Sequence, residues 1–84
     1  MSEFTMDDLR RVMQEAAGEN RHLEGDVLDQ PFTELGYDSL ALLEAAARVE
    51  RSSGVQIGDD DIADVSTPRD FIQLVNDRLA SASV

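Results

Sequence analysis

The spacing of the apolar residues most constrains how this 84-residue chain can fold. They recur at intervals of three and four in three segments, and strict alternation is found nowhere along the chain. Intervals of three and four place side chains on one face of an α-helix, whereas a half-buried strand needs alternation. The pattern therefore predicts an all-α fold.

The first segment predicts a helix over residues 6–17. Thr5 is suited to cap this helix, and Asp8 places negative charge in its first turn. Gly18 is well placed to end it, since glycine readily adopts the left-handed conformation that follows many helices. The face expected in the core carries Met6, Leu9, Val12, Met13, Ala16 and Ala17.

The central helix is predicted to begin at Asp38 or Ser39 and to end near Ser53, because Gly54 is a suitable helix terminator. A helical wheel separates its apolar residues into two groups. The expected core stripe consists of Leu42, Ala45, Ala46 and Val49. An outer patch, expected to be exposed among charged residues, consists of Leu40, Leu43 and Ala47. The patch has the layout of a transient docking surface, although scattered exposed apolar residues are equally compatible with the pattern.

The last helix is predicted to begin after Thr67 as its cap, with Pro68 in the first helical position and Asp70 in the first turn. Arg78 falls within the apolar stripe of this helix, so we expect its charged head to extend to water. Residues 81–84 are expected to fray. The core-facing stripe carries Phe71, Ile72, Leu74, Val75 and Leu79.

The connections between these helices also carry apolar residues. Residues 19–38 show no sustained period, but their spaced apolar residues indicate a long connection that lies against the core. A helical turn is expected near residues 31–34, and another over residues 60–64 that carries Ile62 inward. The expected architecture is one domain over residues 1–84, a bundle of three longer helices and one short helix with a long first loop.

The net charge of −11 is concentrated in two segments. Residues 19–38 contain six acids and only Arg21 as a base, and residues 54–67 contain four acids and no base. Binding to nucleic acid requires cationic side chains, so the charge argues against that partner and favours proteins with basic surfaces. Both segments flank the central helix, although charge runs are also typical of solvated loops.

The chain contains no cysteine, which excludes disulfides and thiolate metal sites. Any thiol chemistry must therefore use a sulfur brought in from outside. The N-terminus has no apolar run fit for a signal peptide, and no segment approaches the length of a membrane span. These features predict a cytoplasmic protein of bacterial type, with no membrane partner, and we expect a monomer.

Residues for catalysis are hard to assemble from this sequence. The run GYDSL at residues 36–40 lacks the glycine after serine that a nucleophile elbow needs. His22 is the only histidine, and nothing places it beside Ser39. The acids of residues 59–64 fail the calcium-loop pattern, because the required glycine and final glutamate are missing. By themselves, Asp38 and Ser39 form a helix-capping pair, and a binding domain is favoured over an enzyme.

Residues 36–48, GYDSLALLEAAAR, resemble the acyl carrier proteins of bacterial type II aromatic polyketide synthases. This extended run is much more specific than Asp-Ser-Leu alone. Further matches are DLRR at 8–11, AGE at 17–19, GV at 54–55 and TPR at 67–69, so the resemblance covers essentially the whole chain. It implies the acyl-carrier helical bundle and a carrier rather than an enzyme.

The resemblance implies that Ser39 is esterified by 4′-phosphopantetheine, which a separate Mg-dependent phosphopantetheinyl transferase takes from coenzyme A. The thiol of this arm then carries malonyl units and the growing poly-β-keto chain as thioesters. Asp38 caps the helix and takes part in recognition by the transferase. The other implied partners are a malonyl-CoA:carrier acyltransferase, a ketosynthase with its chain-length factor, a ketoreductase and cyclases. The partner-facing positions that the resemblance implies are Leu40, Leu43, Glu44 and Ala47.

Some residues distinguish between classes of carrier protein. Ala41 stands where fatty-acid carriers have an aspartate, and Arg48 and Arg51 make the central helix neutral. Both features favour service in polyketide synthesis. Peptidyl carriers usually have two glycines before the motif, which Gly36 and Tyr37 do not match. A fatty-acid carrier is the nearest alternative, and an unmodified acidic helical interaction domain is the alternative from a different class.

The charge predicts how the stability of the fold depends on salt. Eleven excess negative charges repel one another in a small domain. Salt or divalent cations should therefore raise the melting temperature, whereas moderately alkaline conditions should not. Thermal unfolding from low to roughly physiological ionic strength measures the effect. A melting temperature that does not change with salt would contradict this prediction.

Overall fold

The computed structural model describes residues 3–17, 23 and 25–82. Over these residues the chain forms four helices and no strand. The helices are α1 (Met6–Ala17), α2 (Ser39–Ser53), α3 (Asp59–Ala63) and α4 (Pro68–Ala82). The predicted bundle of three longer helices and one short helix is confirmed. Gly18 and His22 lie outside the described residues.

Helices α1 and α4 begin with the same pair of reciprocal hydrogen bonds. The Asp8 N–H donates to Thr5 Oγ1 over 3.2 Å, and the Thr5 N–H donates to Asp8 Oδ2 over 2.9 Å. At α4, the Asp70 N–H donates to Thr67 Oγ1 over 3.2 Å, and the Thr67 N–H donates to Asp70 Oδ2 over 3.3 Å. Each pair satisfies backbone donors that a helix start leaves without partners, which confirms both predicted caps.

The segment between α2 and α3 is anchored to α2. Gly54 ends α2 with a φ of 80°, in the left-handed region that glycine adopts without steric cost. The Ile57 N–H then donates to Glu50 Oε2 over 2.7 Å, and the Ile57 side chain is buried. Ile62 of α3 is buried as predicted. These contacts hold α3 against the side of α2.

One core joins the helices to both connections. The buried apolar residues from helices are Leu9, Met13, Leu42, Ala45, Ala46, Val49, Ile62, Phe71 and Val75. Those from the connections are Leu23, Val27, Phe32, Tyr37, Val55 and Ile57. The long first connection therefore lies against the core, as its spaced apolar residues predict.

The long connection is fastened to the start of α4 through its backbone and through one ion pair. The Phe32 N–H donates to the Ser66 carbonyl oxygen over 2.8 Å, and the Arg69 N–H donates to the Leu28 carbonyl oxygen over 2.9 Å. The Arg69 guanidinium donates to both carboxylate oxygens of Asp29, over 2.7 and 3.2 Å. These bonds satisfy backbone groups that an irregular segment would otherwise leave without partners.

The expectation about Arg78 in α4 was wrong. The charged head of Arg78 does not simply extend to water, because its Nη2 lies 2.7 Å from Asp61 Oδ2. The short helix α3 brings that carboxylate within reach, which the spacing within α4 could not indicate. Helix α4 continues through residue 82, residues 83 and 84 lie outside the described part of the chain, and the fraying expected over residues 81–84 stays a prediction.

The carboxylate of Asp70 links the stability of α4 to pH. Burial by itself raises the pKa of Asp70, but the hydrogen bonds that it accepts from Ser66 and Thr67 outweigh burial and lower that pKa. A carboxylate with a lowered pKa in the folded state stabilises the fold at any pH above its unfolded value. That contribution is lost as the pH falls through the lowered folded pKa.

Asp70→Asn should lower the free energy of unfolding at neutral pH by about 1 kcal/mol, the usual effect of losing a capping interaction. The difference from the parent protein should begin to shrink as the pH falls below the ordinary value of 3.8, and it should be lost as the pH falls through the lowered folded pKa. Urea unfolding of both proteins, from neutral pH to about pH 3, measures this difference. Asp77→Asn controls for the change in net charge, because Asp77 is exposed on the same helix. A difference that stayed constant with pH would show that the Asp70 charge is not involved.

Candidate functional site

Ser39 is the first residue of α2, and it is exposed. The preceding residue, Asp38, is extended with φ −102° and ψ 178°, and its Oδ1 accepts the Ala41 N–H over 2.9 Å. The carbonyl oxygen of Asp38 accepts the Leu42 N–H over 3.3 Å. These two bonds determine where the helix starts, and they confirm Asp38 as its cap. The Ser39 hydroxyl thus lies at the positive end of the α2 dipole.

The turn before α2 determines where this helix start lies. Residues 31–36 form the predicted hydrogen-bonded turn. Gly36 has a φ of 91°, which is strained for a residue with a side chain. Tyr37 is buried next, with its ring edge-on to that of Phe32 at a centroid distance of 6.0 Å. Because Tyr37 is anchored in the core, the two residues that follow it are held at the surface.

Two clefts flank the start of α2. The α2–α3 cleft, of about 330 Å³, lies between α2, α3 and the long connection, and Asp38 and Ser39 are among its lining residues. Its apolar walls include Pro31, Phe32, Leu42, Leu43, Ile62 and Val65. The α1–α2 cleft, of about 460 Å³, has a mixed lining that includes Ala16, Gly36, Leu40, Ala41, Glu44 and Arg48. An extended group attached at the start of α2 therefore has an apolar cleft on one side and a more polar cleft on the other.

The predicted outer patch of α2 is only partly exposed. Leu40 is exposed, at 72%. Leu43 and Ala47 are half-buried, and Leu43 packs against the core and lines the α2–α3 cleft. The expectation that Leu43 is exposed was therefore wrong, because α3 packs against the side of α2 on which it lies. The role of these residues in contacts with partners stays a prediction.

The charged residues on the outer face of α2 form a network around Glu44. Glu44 Oε2 lies 3.3 Å from Arg48 Nε and 3.8 Å from Arg51 Nη2. Arg48 Nε is buried, and its N–H does not point at that oxygen, so the contact is an ion pair rather than a hydrogen bond. Arg48 Nη1 also lies 3.7 Å from Glu15 Oε1 of α1. The predicted neutralisation of α2 therefore extends to the neighbouring helix.

Some residues around the site could not be assigned to it from the sequence. The sequence predicts that Ile62 points inward and that a turn lies near Pro31. No sequence pattern indicates that both residues line one cleft with Leu43 beside Ser39. Arg51 could have been found, because positions 40, 47 and 51 fall on one line of the helical wheel. Arg51 can be placed from the sequence because it lies on the same helix as the motif. The residues that line the α2–α3 cleft cannot, because they come from three separate segments of the chain.

The chemistry of the site is that of an accessible hydroxyl. Within residues 3–17, 23 and 25–82, no group of three or more His, Asp and Glu side chains could hold a metal ion. No helix in that part of the chain is long and apolar enough to cross a membrane. An incoming phosphate could reach Ser39 at the start of α2, where the helix dipole favours negative charge.

Comparison with known proteins identifies the class to which this arrangement belongs. The family described as phosphopantetheine attachment site matches residues 7–75. The chain is 52% identical to the actinorhodin polyketide synthase acyl carrier protein of Streptomyces coelicolor, over 95% of each chain. It is 48% identical to the granaticin polyketide synthase acyl carrier protein of Streptomyces violaceoruber, over 99% of this chain and 100% of the relative. The chain belongs to the acyl carrier proteins of type II polyketide synthases.

Solved structures of such carriers have the same fold. The solution structure of the actinorhodin acyl carrier protein from Streptomyces coelicolor bearing a 3,5-dioxohexyl group matches with a TM-score of 0.88, at 51% identity over 96% of both chains. The holo form of that carrier matches with a TM-score of 0.84, at 51% identity over 96% of both chains. As a member of this family, the present carrier bears a phosphopantetheine group and works with polyketide synthase enzymes.

Proposed function

We propose that Ser39 is the residue that carries the phosphopantetheine arm of this acyl carrier protein. The observation that carries the proposal is the exposed hydroxyl at the first position of α2, capped by Asp38 and flanked by two clefts. A group of this kind needs an accessible oxygen, a favourable place for a phosphodiester charge and a surface along which to lie. The start of α2 meets all three requirements.

The attachment step needs little catalysis from the carrier chain itself. The bond that forms joins Ser39 Oγ to phosphorus, coenzyme A releases adenosine 3′,5′-bisphosphate, and the hydroxyl proton leaves to a base of the transferase. The new negative charge lies near the positive end of the α2 dipole. Asp38 keeps the helix start in place through the Ala41 N–H, and its exposed side chain is available for recognition by the transferase.

The cargo follows from the family to which the chain belongs, and the composition of the chain favours its retention. The bound arm supplies a thiol that holds malonyl units and the poly-β-keto chain as thioesters. The protein has no cysteine, so no other thiol in the chain competes for the acyl group. The apolar walls of the α2–α3 cleft suit the methylene segments of the arm, because the buried side chains of Leu42 and Ile62 and the half-buried side chain of Leu43 line it.

The proposed partners dock on the outer face of α2. They are a phosphopantetheinyl transferase, a malonyl-CoA:carrier acyltransferase, a ketosynthase with its chain-length factor, a ketoreductase and cyclases. Exposed Leu40 beside Ser39 supports this assignment, because an apolar side chain in a charged surface is a typical anchor. Leu43, Glu44 and Ala47 complete the proposed surface. The carrier itself catalyses no step, and it acts in the cytoplasm.

Ser39→Ala should abolish attachment of the arm without unfolding the protein. The side chain is exposed and Asp38 still caps the helix, so the stability cost should stay below about 1 kcal/mol. Intact mass after incubation with coenzyme A and a phosphopantetheinyl transferase measures attachment, and circular dichroism measures the fold. Labelling that persists in Ser39→Ala would remove Ser39 from its proposed role.

Core and docking positions on α2 should respond oppositely to substitution. Leu42→Ala should destabilise the fold by about 2–5 kcal/mol, because Leu42 is buried. Leu40→Ala should cost under about 1 kcal/mol but should impair transfer to the ketosynthase. Leu43→Ala should lie between them in stability, because Leu43 is half-buried. Glu44→Lys should impair transfer by placing like charge against a basic partner, and its defect should shrink as salt rises.

Ketosynthase turnover is compared with thermal melting for the four variants, each carrying the phosphopantetheine arm. The docking surface is assigned wrongly if Leu40→Ala melts like Leu42→Ala and transfers normally once folded. For Leu42→Ala, we expect the loss of transfer to equal the unfolded fraction of the protein, because Leu42 acts only through the core.

A further inference from the structure

The outer face of α2 carries an ordered line of residues that ends in a cation. Leu40, Glu44, Ala47 and Arg51 lie at spacings of four, three and four, which place them along one side of the helix. At a rise of about 1.5 Å per residue, Arg51 lies about 18 Å along the helix from Ser39, and Glu44 about 8 Å. With increasing distance from Ser39, the line therefore carries an apolar, an acidic, a small and a basic side chain.

Arg51 is the most available cation of this helix. Its side chain is 65% exposed, and its Nη2 lies 3.8 Å from Glu44 Oε2. Arg48 is less exposed, at 35%, and lies near both Glu44 and Glu15. Ala47 lies between Glu44 and Arg51 on the same side of the helix, and its side chain is small. An ion pair this exposed contributes little stability, so both charges can exchange it for a partner at small cost.

Two other arginines of this fold form shorter ion pairs than Arg51 does. Arg69 Nε lies 2.7 Å from Asp29 Oδ1, and Arg78 Nη2 lies 2.7 Å from Asp61 Oδ2. Both pairs join separate segments of the chain. The contact between Arg51 and Glu44 is longer and lies within one helix, so it joins no two parts of the structure. Arg51 lies in the last turn of α2, where a cation interacts favourably with the helix dipole, and its exposed guanidinium is at the same time accessible to another protein.

We propose that Arg51 is a second electrostatic anchor, which contacts a carboxylate on the ketosynthase–chain-length factor complex while Glu44 contacts a base on it. The inference rests on the proposed docking at α2 and deepens it by stating the chemistry of the partner. The partner surface carries a base near the entrance for the arm and an acid about 10 Å further along α2, which is the rise over the seven residues from Glu44 to Arg51. A carrier with a net charge of −11 would otherwise be expected to meet a uniformly basic surface.

The order of the two charges gives the complex its orientation. A partner rotated end for end would place its base against Arg51 and its acid against Glu44. Like charges brought together in this way disfavour the reversed complex strongly. The arm on Ser39 therefore enters the partner from one direction, although the apolar contacts of Leu40 and Ala47 alone would allow others.

Charge reversal distinguishes this proposal from docking on a uniformly basic partner surface, because the two cases predict changes of opposite sign in the dissociation constant. Arg51→Glu is compared with Arg11→Glu, which makes the same change in net charge at a position on α1 where the side chain is 71% exposed. The dissociation constant for the cognate ketosynthase–chain-length factor complex is measured for each by titration. We expect Arg51→Glu to raise it about tenfold, with a smaller rise for Arg51→Ala, and both rises to shrink as salt increases. Arg11→Glu should leave it unchanged or lower it.

The proposal is overturned if Arg51→Glu leaves the dissociation constant unchanged, or if it lowers the constant as Arg11→Glu does. Circular dichroism checks that each variant is folded, and Arg51→Ala gives the same information should the reversal disturb the helix. Binding is measured for the unmodified and the phosphopantetheinylated proteins. Intact mass reports attachment at Ser39 separately, so a failure of the attachment proposal is distinguishable from a failure of the Arg51 contact.

Discussion

The burial of Phe32 links the long first connection to the helices and to the site. Its ring lies edge-on to Phe71 of α4 at 6.4 Å and to Tyr37 at 6.0 Å between centroids. Ordering a long irregular segment costs conformational entropy, which apolar burial must offset. The Phe32 N–H also bonds to the Ser66 carbonyl oxygen, so burial leaves that donor satisfied. Because Tyr37 is fixed by this cluster, Ser39 has a defined place although an irregular segment precedes it.

Apart from the pairs within α1 and the contact of Arg48 with Glu15, two sets of ion pairs differ in length and in what they join. The contacts of Asp29 with Arg69 and of Asp61 with Arg78 are short and join segments far apart in the chain. The longer contacts around Glu44 lie on the outer face of α2, beside the proposed attachment residue. The short pairs thus fasten the long connection and α3 to α4, whereas the longer contacts leave exchangeable charges on the proposed docking face. A strongly acidic carrier can in this way present a docking helix of mixed charge.

Much of the fold was predictable, because its signals are local. The bounds of α1 and α2 follow from helical periodicity, and the caps at Thr5, Asp38 and Thr67 follow from side chains that bond to backbone groups within the same turn. The motif around Ser39 was recognisable for the same reason, since it is one continuous run. Leu43 was misplaced because its position at the border of the core stripe becomes half-buried only when α3 packs beside it.

The sequence by itself determined the helices, their caps, the acidity and the serine at the start of α2, because each depends on neighbours within a few residues. Tertiary structure alone decided the α2–α3 cleft, the pairing of Arg78 with Asp61 and the link from Arg48 to Glu15. Each of these joins side chains from different elements. Their distances depend on how the helices pack against one core, and no periodicity within a single helix contains that information.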